Sequence, residues 1–136
     1  MAIQFRGKDT SPIHVTVVVA GKTGGPVKAT YIWQYISIPT KPVIIKEDDK
    51  PAPWSMANLS AADLAAAPDN LYSMLVHLIP TDDAIVWTWA EQNGAPLAAV
   101  DGLGNPLPGE GPHKAVKLGT AAKGKTAHLP VSIDLS

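Results

Sequence analysis

Cysteine is absent from the 136 residues. Disulfide frameworks, thiolate nucleophiles and cysteine-ligated metals are therefore excluded at the outset. A long apolar run is also missing: no stretch approaches the roughly 20 residues a membrane-spanning helix requires. The first residues, "MAIQFRGKDTSPIHV", lack the apolar segment of a secretory signal. The reading is a soluble protein, cytoplasmic at synthesis, with no membrane span and with leaderless export left open. Net charge is nearly absent too. At −1, no overall field draws the chain to nucleic acid or to an anionic surface.

Charge is nevertheless segregated along the chain. Residues 1–46 carry six Lys/Arg against Asp9, residues 47–110 ten acids against Lys50, and residues 111–136 four Lys against Asp134. Folding is expected to interleave these segments; the alternative is a dipolar surface suited to head-to-tail association.

The chain has a large apolar content and many breakers. It is 46% hydrophobic and 17% charged, with thirteen Pro and eleven Gly. One domain spanning residues 1–136 would bury roughly two-thirds of its unfolded surface, and the breakers point to short strands and frequent turns. In "IHVTVVVA", Ile13, Val15, Val17 and Val19 share one face while His14 and Thr16 share the other, a period of two built from β-branched residues. "VKATYIWQYISI" and "KPVIIK" follow as strands. "NLYSMLVHLI" and "AIVWTWAEQ" are expected to pair around the turn at residues 80–83. "APLAAV" and "LGNPLP" flank Asp101-Gly102, a hairpin signal. "HKAVKLG" and "KTAHLPVSIDLS" end the sequence. In the last, Leu129, Val131, Ile133 and Leu135 point inward, and Pro130 marks an edge strand or a bulge. One short helix near residues 60–67 has Ser60 as N-cap, Asp63 as its capping-box partner and Pro68 as its stop. The fold class is all-β: an antiparallel two-sheet sandwich with Greek-key connections and one connecting helix.

The stretch "VTVVVAGKTGGP" resembles a phosphate-binding loop only in part. Thr16 stands where the first Gly of such a loop belongs, and a β-branched, aromatic run replaces the helix that should follow Gly21-Lys22-Thr23. It reads as a turn between strands. The histidines His14, His77, His113 and His128 show no metal-ligand spacing, although strands bring distant residues together. His77 reads as a core histidine bonded to a carbonyl. The pairs Asp48-Asp49 and Asp82-Asp83 point to opposite sides of an extended chain and read as solvated turns. No Ser lies in G-x-S-x-G. The expectation is a non-enzyme with no catalytic residue, no cofactor-binding residue and no metal ligand.

The aromatics form the most informative pattern. Tyr31, Trp33 and Tyr35 share one face of a strand, opposite Ile32, Ile36 and Ile38. With the isoleucines as the inward set, the aromatic ladder faces out, covered by a loop, buried in an oligomer interface, or free to stack a ligand. Trp87 and Trp89 repeat the spacing, the alternative being that both ladders face inward as an aromatic core, and Trp54 lies in a proline-stiffened loop. Residues 91–112 carry five Gly and four Pro, and read as a projecting hairpin whose tip offers Asp101 and Asn105. The expected function is a non-catalytic interaction or structural module. It would bind itself or another protein through Tyr31, Trp33, Tyr35, Trp54, Trp87, Trp89, Asp101 and Asn105. The alternative is a lectin-like module stacking glycans on aromatic side chains, and an enzyme of undetected class comes third.

Overall fold

The computed structural model describes residues 3–25, 27–36, 45–46, 53–111 and 114–136. In chain order these are β1 (Ile3–Arg6), β2 (Ile13–Gly21), β3 (Ala29–Tyr35), β4 (Ile45–Lys46), β5 (Trp54–Leu59), α1 (Ala61–Ala65), a 3-10 turn (Pro68–Asn70), β6 (Leu71–Pro80), β7 (Ala84–Gln92), β8 (Ala95–Pro96), β9 (Ala99–Val100), β10 (Val116–Ala121) and β11 (Ala127–Asp134). Two sheets pack face to face as a sandwich. Sheet A has the order β4-β3-β6-β11-β1-β9, and sheet B the order β10-β7-β2-β5, with β8 paired to β7. Each sheet draws strands from all three charge segments, so the topology interleaves them.

The sandwich is not purely antiparallel. In sheet A, β1 runs parallel to β11, with Ile3 opposite Val131 and Phe5 opposite Ile133. Strand β11 is consequently interior, lying between β6 and β1 rather than at an edge. Pro130 is accommodated because β1 partners begin only at Val131, so the missing N–H interrupts no β1–β11 pair. Strands β6 and β7, expected to form a hairpin, lie in different sheets. The Thr81–Asp83 link crosses the sandwich, anchored by Thr81 N–H and Oγ1 donating to the Lys28 carbonyl. A three-residue link serves either purpose, and only the partner surface decides between them.

Other local readings hold. Ile13, Val15, Val17 and Val19 are buried. Ser60 caps α1 through a reciprocal bond with Asp63, which satisfies two donors the helix start would leave orphaned. The Gly21–Gly25 segment is a turn: Gly24 N–H donates to the Gly21 carbonyl, and Gly24 takes φ +86°, the region glycine enters freely. The strand read in "KPVIIK" is described only at Ile45–Lys46, paired to β3. Ile38, Asp48, Asp49 and His113 lie outside the described residues.

The aromatic ladder faces the opposite way from the expectation. Tyr31, Trp33 and Tyr35 are buried, Trp33 to 0% exposure, whereas Ile36 is 49% exposed. The reason is volume matching between the sheets. Most inward positions of β5 and β7 are small, namely Ser55, Ala57, Ala84, Val86, Thr88 and Ala90, with the larger Leu59 and Gln92 at the strand ends. The large rings of sheet A fill the space they leave. Polar tips find partners across the core: Trp33 Nε1 donates to Ser55 Oγ at 2.8 Å, and Tyr31 Oη donates to the Pro53 carbonyl at 3.2 Å. Tyr35 packs edge-on against Tyr72, with ring centroids 6.0 Å apart. Thr30 and Gln34 share the isoleucine face, which makes that face the cheaper one to leave wet.

Candidate functional site

With Tyr31, Trp33 and Tyr35 in the core, the outward aromatics that remain are on sheet B. With Ile13, Val15 and Val17 of β2, Ala57 of β5 and Val86 of β7 turned inward, the alternate positions of these strands face out. The strand registers set them in rows across the sheet. Trp54 stands opposite Val18, and Val18 opposite Trp87, which in turn faces Lys117. The next row is Met56, Thr16 and Trp89, and the third is Asn58, His14 and Glu91.

These rows enclose a groove of about 550 Å³ lined by His14, Thr16, Val18, Trp54, Met56, Asn58, Trp89 and Glu91. Val18 and the buried Thr16 on the central strand make the floor. Trp54, 52% exposed on edge strand β5, makes one wall, and Trp89 on β7 makes the other. From strand spacing and rise, their Cα atoms lie roughly 12 Å apart on the diagonal. The polar groups gather at one end, where His14 Nδ1 and Asn58 Oδ1 are 2.5 Å apart. The amide carbonyl can only accept, so His14 carries a proton on Nδ1, and in the neutral imidazole Nε2 is then the acceptor. Glu91 completes that end as the groove's carboxylate. The lining is thus mostly apolar with polar groups at one side, in the size range of small-ligand sites.

Trp87 shares the face but is covered. A Cβ placed on Gly111 would come within 2.7 Å of Trp87 Cε3, so the chain at Gly111 lies directly on the indole. Trp89 also borders a second cavity of about 440 Å³, which runs beneath residues 96–99 and 107–109 toward Phe5.

Asp101 and Asn105 serve the hairpin tip itself. Asp101 Oδ1 accepts the backbone N–H of Leu103 at 2.8 Å and of Asn105 at 2.9 Å, and Asn105 Nδ2 donates to Asp101 Oδ2. The Asn105 backbone bond first, then that from Leu103, holds the Asp101 carboxyl below the ordinary carboxylate range. The tip presents Leu103, 88% exposed. His77, read as a core residue, is on the outer face of sheet A, where His128 and Gln34 are its side-chain partners.

Of the residues named from sequence, the structure brings Trp54 and Trp89 together, sets Trp87 beside them, and moves Tyr31, Trp33 and Tyr35 inside. The groove residues His14, Thr16, Val18, Met56, Asn58 and Glu91 were not singled out as a site. Their signal was the phase of β2: once Ile13, Val15 and Val17 point inward, His14, Thr16 and Val18 must face out.

Fold and groove together define a β-sandwich with a ligand-sized, tryptophan-walled site on one outer sheet face. No family model, curated protein or solved structure matches the chain.

Proposed function

We propose that the protein is a non-catalytic binding module whose ligand lies in the sheet B groove, stacked against Trp54 and Trp89. The observation that carries this reading is the pairing of two indole walls with the His14, Asn58 and Glu91 cluster at one end. A saccharide fits that chemistry. Its ring C–H faces pack on indoles, while its hydroxyls bond to acceptors such as Glu91 and His14 Nε2. The roughly 12 Å between the Trp54 and Trp89 Cα atoms, set by strand spacing and rise, suits a ligand longer than one ring. A binding rather than catalytic role is supported by the lining. It offers one carboxylate, one imidazole tied to an amide, and a threonine hydroxyl sunk in the floor.

The test is an oligosaccharide array followed by tryptophan-fluorescence titration of the hits. Trp54→Ala and Trp89→Ala should each remove the response and leave the fold intact. An empty array with flat titrations ends the saccharide reading.

A second reading, self-association, is carried by exposed Ile36 and Ile79 on the outer face of sheet A. Sedimentation velocity showing a monomer at high concentration, unchanged by Ile36→Lys, removes it.

A further inference from the structure

We infer that His77 and His128 form a binding site for a borderline divalent transition cation such as Cu²⁺, Ni²⁺ or Zn²⁺. The site lies on sheet A and is independent of the groove on sheet B.

The register places the two residues directly opposite each other on the antiparallel pair β6–β11. Cβ atoms of such pairs stand about 4.5–5.5 Å apart, and both side chains leave the sheet on the same side. The Nδ1 atoms are 2.6 Å apart, with the rings nearly perpendicular at 86°. Two neutral imidazoles hold that contact with one proton between them.

Gln34 decides whose proton it is. Its Oε1 lies 3.0 Å from His77 Nε2, and a carbonyl oxygen accepts. His77 therefore carries its proton on Nε2, and its Nδ1 lone pair points at His128. The bridging proton belongs to His128. An imidazole whose far N–H is anchored on a carbonyl is the arrangement that orients metal-binding histidines.

His128 is exposed, so its proton can pass through solvent from Nδ1 to Nε2 with no net change in protonation. Both Nδ1 lone pairs then converge on one point. A cation bound at the usual 2.0–2.1 Å needs its two nitrogens roughly 3.0–3.3 Å apart. Rotation of the exposed His128 ring supplies the few tenths of an ångström required. Water fills the remaining positions. Imidazole nitrogen as the donor selects the borderline metals over Mg²⁺ and Ca²⁺.

The experiment uses the tag-free chain, with Cu²⁺ followed by electron paramagnetic resonance and Zn²⁺ by calorimetry. One cation per chain is expected, and the Cu²⁺ spectrum should carry the splitting of two equivalent nitrogens. His77→Gln and His128→Gln should each weaken binding by roughly tenfold or more, and Gln34→Leu by about tenfold, in line with loss of a group that orients a ligand. His14→Gln, on the other sheet, should bind the metal as the parent does. Both target histidines are solvent-accessible, so the variants should retain the parent's circular dichroism. Wild-type affinity in the His77→Gln/His128→Gln double variant, or no binding by the parent at millimolar metal, overturns the assignment. A Cu²⁺ spectrum with a single nitrogen does the same.

Discussion

Trp33→Phe is the most direct probe of how the sandwich is filled. The indole is fully buried, and its N–H is given to Ser55 Oγ, itself fully buried on the opposing sheet. Replacing indole by phenyl deletes two ring carbons and the ring nitrogen. At about 0.8 kcal/mol per buried carbon, the lost transfer energy is about 1.6 kcal/mol. Stranding the Ser55 hydroxyl adds about 1–3 kcal/mol. The expected total is about 3–4 kcal/mol, which lowers Tm by roughly 10 °C for a chain of this size. Trp54→Phe, at a half-exposed position, should change stability by less than about 0.5 kcal/mol.

The hydrogen bond can be isolated by a double-mutant cycle in urea. Ser55→Ala alone strands the indole N–H and should cost about 1–3 kcal/mol. Added to Trp33→Phe, it removes the orphan and should recover about 1 kcal/mol instead. If Trp33→Phe is no more damaging than Trp54→Phe, the aromatic ladder does not face inward. If the two substitutions add without coupling, the Trp33–Ser55 bond is absent. Either result refutes the volume-matching account of the core.

Three further outcomes follow from named contacts. Gln92 accepts the Lys8 N–H and donates to the Asp9 and Ser11 carbonyls from a buried position; Gln92→Leu should cost about 2–3 kcal/mol and speed proteolysis at residues 8–11, seen by mass spectrometry of the nicked chain. Asp101 is held below its ordinary pKa by the Asn105 and Leu103 N–H groups. The stability it lends the hairpin tip is therefore present above the unfolded value of about 3.9 and lost as pH falls through the lower folded value. Carboxyl and Asn105 amide shifts in an NMR titration should move together below that pH, and a midpoint at or above 3.9 contradicts the bonding. Gly111→Ala would press a methyl group onto the Trp87 ring; the chain there should lift, red-shifting tryptophan emission while leaving sheet content unchanged by circular dichroism.

Much of the architecture was legible because it rests on local chemistry. The β2 alternation, the Ser60–Asp63 cap and the glycine turn after β2 are each settled by residues close together in sequence. The sheet assignment of β6 and β7 was not, since a three-residue turn and two alternating strands are compatible with a hairpin or with a crossing. A stronger local signal stands directly after β7. Asn93-Gly94, both at positive φ, turns β7 into β8 with Gln92 opposite Ala95, which is what that dipeptide favours.

The site was harder to read for a reason that lies in β3. Large apolar residues stand on both of its faces, with Thr30 and Gln34 the one polar cue on the isoleucine side, so period two gives the alternation more firmly than its sign. The sign comes from β5 and β7 across the core, where Ser55, Ala57, Ala84, Val86, Thr88 and Ala90 leave space for the large rings of β3. The same small residues push Trp87 and Trp89 outward, one beneath Gly111 and one into the groove. Burial of the Tyr31–Tyr35 ladder and display of the Trp89 wall are thus a single consequence of β7 carrying its bulk on one side. A substitution that enlarges the inner side, such as Ala90→Leu, should therefore disturb the core and the groove together. Loss of cooperativity in urea and loss of the Trp89-dependent ligand response would appear in the same variant. An Ala90→Leu protein that kept a native core while the groove response vanished would separate the two and break that link.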